Sequence, residues 1–153
     1  VGGGGFSSRL NDQVREKQGL AYSIYSYLYP LDHAGLYLGG VGTKNSSVMK
    51  TLQIINDEIV RVHDNGISAK ELADAKLYLN GSFPLRLTSS ARIARLLLAM
   101  QHHKLGINFL ERRAKLINGV TLEEVHRVAK RLLKPENFLT VVVGQPEGLH
   151  STK

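Results

Sequence analysis

The chain contains no cysteine, so neither a disulfide nor a thiolate metal site is available to it, and its composition suits any redox compartment. Long hydrophobic runs are missing too. No apolar stretch approaches the roughly 20 residues that a membrane-spanning helix requires, so no helical span is expected. Acidic residues are fewer than basic ones, 13 against 20, and the formal net charge is +7. Such a surplus invites a nucleic-acid reading. The charge is dispersed, however: Arg92, Arg95, Arg112, Arg113, Lys115, Arg127, Lys130, Arg131 and Lys134 lie on helical segments with Glu111, Glu123 and Glu124 among them. Dispersed charge of this kind describes a solvated helix face. What exceeds it suits an acidic partner surface, a docked sister domain or long-range steering of a substrate. Nucleic acid is not an expected partner.

What is present is concentrated at the front. Val1 is followed at once by Gly2, Gly3, Gly4 and Gly5, with no initiator methionine, and a chain cut from a longer polypeptide is the expectation. The 153 residues are enough for one domain, 1–153, with its own core.

Residues 7–16 read as a short helix with Leu10 and Val14 on one face. Gly19 ends it. From Leu20 to Leu28 the residues alternate, placing Leu20, Tyr22, Ile24 and Leu28 on one side of a strand and Ala21, Ser23, Tyr25 and Tyr27 on the other. Pro30 to His33 reads as a turn and 34–41 as a second strand, paired antiparallel because the link is so short. Val48, Leu52, Ile55, Ile59 and Val62 form the stripe of an amphipathic helix that stops at Asp64-Asn65-Gly66. Ser68 with Glu71, Asn108 with Glu111 and Thr121 with Glu124 each read as a reciprocal helix start. The first of these leads a helix with Leu72, Ala75 and Leu79 inward, which Pro84 ends or kinks. Another helix restarts at Ser89 or Ser90 and runs to near Gly106, and Lys134-Pro135 stops the last. Residues 138–143 are short, apolar and β-branched, a buried strand closed by Gly144. The layout is α+β, an antiparallel sheet with helices packed on one face. Three strands make a thin sheet, and a missing leading strand would complete it.

Chemistry is hard to find in this pattern. The six histidines, His33, His63, His102, His103, His126 and His150, include no pair one helical turn apart with a glutamate between, as a catalytic zinc site requires. His102 and His103 are adjacent and point to different helix faces. No Gly-x-Ser-x-Gly elbow is present, and Ser7 and Ser8 suit a helix cap. The glycine run has neither the lysine nor the spacing of a phosphate loop. It suits close approach of a backbone or peptide, since no Cβ intervenes. Arg15 and Tyr22 stand out, one ending a helix and the other beginning a strand across the Gly19 turn. A guanidinium and a phenol together suit gripping a peptide carbonyl or steadying the oxyanion formed when one is attacked. The alternative is that Arg15 pairs with Asp12 or Glu16 and that Tyr22 lies in the core.

Gly3 to Leu10 (Gly-Gly-Gly-Phe-Ser-Ser-Arg-Leu) and Arg15 to Ser23 (Arg-Glu-Lys-Gln-Gly-Leu-Ala-Tyr-Ser) resemble the second, non-catalytic domain of the pitrilysin and mitochondrial-processing-peptidase family of zinc metallopeptidases. The likeness continues through 66–72, 119–125 and Val141-Val142-Val143-Gly144, spanning nearly the whole chain. It implies two similar α+β domains enclosing a peptide, one of them carrying a His-x-x-Glu-His zinc site. The other lends an arginine and a tyrosine seven residues apart, which Arg15 and Tyr22 match in type, spacing and context. On this reading Arg15, Tyr22 and the glycines Gly3, Gly4 and Gly5 bind substrate. No residue here is catalytic or a metal ligand, and zinc belongs to the sister domain. That domain or subunit and a peptide substrate are the expected partners, in a homo- or hetero-oligomer if the halves are separate. The resemblance also implies a strand and helix upstream of the glycines. Some members have lost peptidase activity and serve as scaffolds, which makes a structural subunit the rival expectation.

Overall fold

The computed structural model describes residues 9–149. The fold is α+β: a helical turn, an antiparallel hairpin, five α-helices and a closing extended segment. The contacts divide into two units. One is drawn from residues up to Gly66 and from Ala129 onward; the other is Ile67–Val128.

In the first unit the opening helical stretch widens to a π-helix over Asn11–Glu16. Val14 is fully buried and Leu10 nearly so, as their shared face requires. Strand β1 (Ala21–Pro30) pairs antiparallel with β2 (Gly35–Thr43), and the link between them closes through the Leu31 N–H donating to the Ala34 carbonyl at 2.8 Å. Tyr25 lies across Gly40, its opposite neighbour, so closely that a Cβ there would meet the ring at 2.7 Å. Helix α1 (Val48–Asn65) buries Val48, Ile59 and Val62 and ends at Gly66 in a positive-φ conformation, as the Asp-Asn-Gly stop signals. Thr51, also fully buried, meets the Thr43 hydroxyl at 3.4 Å, and Thr43 in turn donates to the Leu20 carbonyl at 2.6 Å. The buried Glu58 carboxylate is met by Arg61 at 2.5 Å and Arg9 at 3.7 Å, so its charge is compensated.

One expectation fails in this unit. Residues 138–143 enter no ladder among the described residues, whose sheet has two strands, β1 and β2. Leu139, Val141 and Val143 are 89%, 76% and 96% exposed rather than buried. Composition gave this segment strand propensity, but a strand exists only where an adjacent edge accepts its N–H and C=O groups, and no described strand lies against it.

The second unit contains α2 (Ala69–Gly81), α3 (Ser90–His102) and α4 (Phe109–Gly119); α5 (Leu122–Leu132) begins in it and continues past its boundary. Ser68 and Glu71 make both bonds of a capping box, and Thr121 and Glu124 do the same at α5. Asn108 precedes α4 as expected but its side chain caps nothing. On α2, Leu72 is half-buried, whereas Ala75 and Leu79 are exposed rather than inward. Pro84 falls after α2, within a 3₁₀ turn at Phe83–Leu87. That turn is held by Arg113, whose guanidinium stacks 4.1 Å from the Phe83 ring centre and donates to the Leu79 carbonyl. His126 Nε2 meets the Ile67 backbone at 2.9 Å from its carbonyl oxygen, fastening α5 to the start of α2.

Two predictions follow from local geometry. Gly19 holds φ of +61° with no atom within 4 Å of an added Cβ, so Gly19→Ala carries only the conformational cost of a left-handed alanine. Thermal or urea unfolding should show a loss of about 1 kcal/mol; an unchanged midpoint would refute the strain. The Thr121 backbone N–H and hydroxyl, bonded to Glu124, hold its carboxyl below the ordinary value of 4.5. A depressed folded pKa stabilises fully above the unfolded value and is lost as pH falls through the folded one. The midpoint of the wild-type chain should therefore fall on acidification below about pH 4.5, and Glu124→Gln, which still accepts the bond but does not titrate, should flatten that dependence. Parallel pH profiles for the two would disprove the assignment.

Candidate functional site

Arg15 occupies the last turn of the π-helix, a conformation that is rare and concentrates at functional sites. Its side chain is half exposed and lies 3.9 Å from Glu16, an exposed neighbour pair that restrains it little. Asp12 is engaged elsewhere, by Lys17 at 2.8 Å. After Arg15 the backbone folds back tightly: the Gly19 N–H donates to the Arg15 carbonyl at 2.9 Å and the Leu20 N–H to the Val14 carbonyl at 3.0 Å. The positive φ of Gly19 makes this closure possible. Strand β1 begins two residues later.

Tyr22 is 77% exposed, which removes the core alternative. Simple alternation had put it on the face of Ile24, and the register explains the departure. Ala21 pairs with Thr43 and Ser23 with Gly42, so two steps along β1 match one step along β2 and Tyr22 is the extra residue of a bulge. Bulges re-aim a side chain in this way. Ala21 becomes the buried residue and Tyr22 turns to solvent. The signal that would have revealed the bulge lies in β2, where Gly39, Gly40 and Gly42 crowd one strand, and glycines within strands mark bulges and close approaches. Beside Tyr22 a small cavity of about 170 Å³ is bounded also by Gly19 and by Lys44 and Ser47, two residues the sequence had not singled out.

The remaining expected site residues, Gly3, Gly4 and Gly5, lie outside the described residues. Among those described, no group of three or more histidines, aspartates and glutamates is placed to hold a metal ion, and no helix is long and apolar enough to cross a membrane. Several cations of the helical segments serve local structure. Arg92 donates to the Leu85 carbonyl and the Thr88 hydroxyl, and Arg112 to the Leu105 carbonyl. Burial, with Arg86 nearby, lowers the pKa of Arg113 from its ordinary value.

Comparison with known proteins places the chain in a family. The chain is 35% identical over 144 residues to an uncharacterized zinc protease of Streptomyces coelicolor, covering 92% of this chain and 30% of that protein. It is 32% identical over 130 residues to the non-peptidase homolog YmxG of Helicobacter pylori, covering 84% of this chain and 30% of that protein. The chain thus spans about a third of the length of these curated relatives. Among solved structures, the peptidase M16 inactive domain from Pseudomonas fluorescens superposes with a TM-score of 0.76 at 34% identity, over 88% of this chain and 32% of that one. The peptidase M16 inactive domain profile matches residues 2–79, and the chain belongs to that family through this inactive domain.

Proposed function

We propose that this chain, acting as one domain, is the substrate-holding half of a zinc-dependent endopeptidase whose catalytic site lies on a sister domain or subunit. The observation that carries the reading is that Arg15 and Tyr22 are both exposed and lie on either side of one tight turn. The inactive-domain family membership supports it, because a domain of this kind has reason to keep exposed hydrogen-bond donors without a metal site of its own.

The sister domain's zinc would supply an activated water for attack on a peptide carbonyl. The work of this chain is different. The Arg15 guanidinium and the Tyr22 hydroxyl both donate hydrogen bonds to that carbonyl, fixing the peptide before attack. As the carbonyl oxygen gains charge the same donors hold it more strongly than they held the neutral group, which lowers the barrier. Neither residue has to gain or lose a proton. Gly3, Gly4 and Gly5 would let the peptide backbone run close to the chain.

A second reading follows from the non-peptidase homolog of Helicobacter pylori: a structural subunit of a larger assembly, without proteolysis. Zinc analysis of the full-length polypeptide, or of this chain with its partner, separates the two readings. One bound zinc per assembly fits the peptidase, and none fits the scaffold.

In the reconstituted peptidase, Arg15→Ala and Tyr22→Phe should each lower the rate of peptide cleavage by about a hundredfold, the usual loss for one oxyanion donor. Thermal midpoints should stay near that of the wild type, because both side chains are exposed. Cleavage at full rate by both variants would refute the roles assigned here.

A further inference from the structure

The cavity of about 170 Å³ that Tyr22 borders has two walls, both in the first unit. One is the Gly19 turn with the residues that follow it, Leu20, Ala21 and Tyr22. The other is Lys44 and Ser47, at the two ends of the short 3₁₀ turn that leads into α1. The walls are fixed to each other. Ala21 pairs with Thr43, the Thr43 hydroxyl donates to the Leu20 carbonyl at 2.6 Å, and the Ser47 N–H donates to the Lys44 carbonyl at 2.9 Å. Lys44 follows Thr43 directly, so its backbone is held beside Leu20 before any ligand arrives.

Size and charge restrict the occupant. One water takes about 30 Å³ in the liquid, so the space amounts to about five or six waters. Sites for whole small molecules begin at about 300 Å³. One side chain of a longer peptide fits better. Lys44 is the only charged residue in either wall, and it makes no ion pair with a described residue. The sequence gives it no local counter-charge either: no aspartate or glutamate occurs between Asp32 and Asp57, and the first turn of α1 carries no acid. Other cations are engaged, Lys17 by Asp12 and Lys70 by Asp74. An exposed ammonium left without a partner at a small cavity favours an anion there. Ser47, whose side chain makes no cap bond to α1, supplies a hydroxyl donor in the same wall.

We infer, resting on the reading of Arg15 and Tyr22 as the grip, that this cavity is a subsite for an acidic side chain of the peptide substrate and that Lys44 selects it. Successive residues of a peptide are about 3.8 Å apart. A peptide whose carbonyl meets Tyr22 therefore brings a residue close to the cleaved bond up to the cavity that Tyr22 borders. The occupant is a glutamate or aspartate within two residues of that bond, its carboxylate paired with the Lys44 ammonium and hydrogen-bonded by Ser47. The net charge of +7 draws an acidic peptide in the same sense.

The test uses the assembled peptidase, as the full-length polypeptide or as this chain with its partner, and a cleavable peptide capped at both ends. Glutamate, glutamine and lysine are placed in turn at each of the two positions on either side of the cleaved bond. At one of these positions the wild type should prefer glutamate to glutamine by about fivefold in kcat/KM, the upper range for a partly exposed ion pair, with the difference in KM. Lys44→Met should abolish the preference, Lys44→Arg should keep it, and Lys44→Glu should reverse it in favour of lysine. In the wild type it should shrink between about 0.1 and 1 M salt, as the screening length falls from about 10 to about 3 Å. Equal cleavage of the glutamate and glutamine peptides by the wild type, a comparison that needs no variant, would overturn the subsite. So would a preference that survives in Lys44→Met. In either case the grip still stands if Arg15→Ala slows cleavage. A preference seen only when the peptide has a free C-terminus would assign the cavity to a terminal carboxylate and overturn the inference equally. An assembly that cleaves no peptide would overturn the subsite and the grip together.

Discussion

Two short hydrogen bonds around Gly19 decide the geometry on which the functional reading rests. By returning Leu20 to the Val14 carbonyl and Gly19 to the Arg15 carbonyl, they reverse the chain within four residues of Arg15. Val14, fully buried, anchors the inner side of this reversal, so the turn is part of the core rather than a loose loop. A left-handed residue is required at its centre, and glycine adopts that conformation without steric cost. The β-bulge that follows completes the device by turning Tyr22 outward while Ala21 takes the buried place. Regular alternation would instead put Tyr22 on the face of Ile24.

The site therefore depends on backbone irregularities more than on a cluster of charged groups. A π-turn, a positive-φ glycine and a bulge occur within twelve residues, and each departs from the regular element around it. Such departures persist where surrounding packing over-determines them, and they concentrate at functional positions. The two side chains that result are exposed and lightly engaged, as the proposed grip on a peptide requires.

Much of the architecture was legible because its determinants are local. The α1 stripe, its Gly66 stop, the hairpin link and the capping boxes at Ser68 and Thr121 depend on residues within one or two turns of each other, and all appear as read. The misreadings share a different cause. Tyr22 was put on the wrong face because the bulge is set by the register against a glycine-rich partner strand, which alternation within β1 does not contain. Residues 138–143 have strand composition but depend on a distant edge for pairing. Leu79 and Ala75 follow an inward-facing pattern, yet they are exposed, since periodicity identifies a face without showing what covers it. At Asn108 the helix began where expected and the cap bond did not form, because its backbone (φ −87°, ψ 12°) is not in the extended conformation that the capping residues Ser68 and Ser89 adopt.

The functional reading treats Arg15 and Tyr22 as a single grip on one peptide group, a stronger statement than that each contributes to cleavage. A double-mutant cycle on kcat/KM in the reconstituted peptidase, built from Arg15→Ala, Tyr22→Phe and the double variant, tests it most directly. Donors that share one carbonyl should be coupled by about 1 kcal/mol or more, with the double variant losing clearly less than the product of the single losses. Strict additivity, each loss independent of the other, would contradict a shared grip.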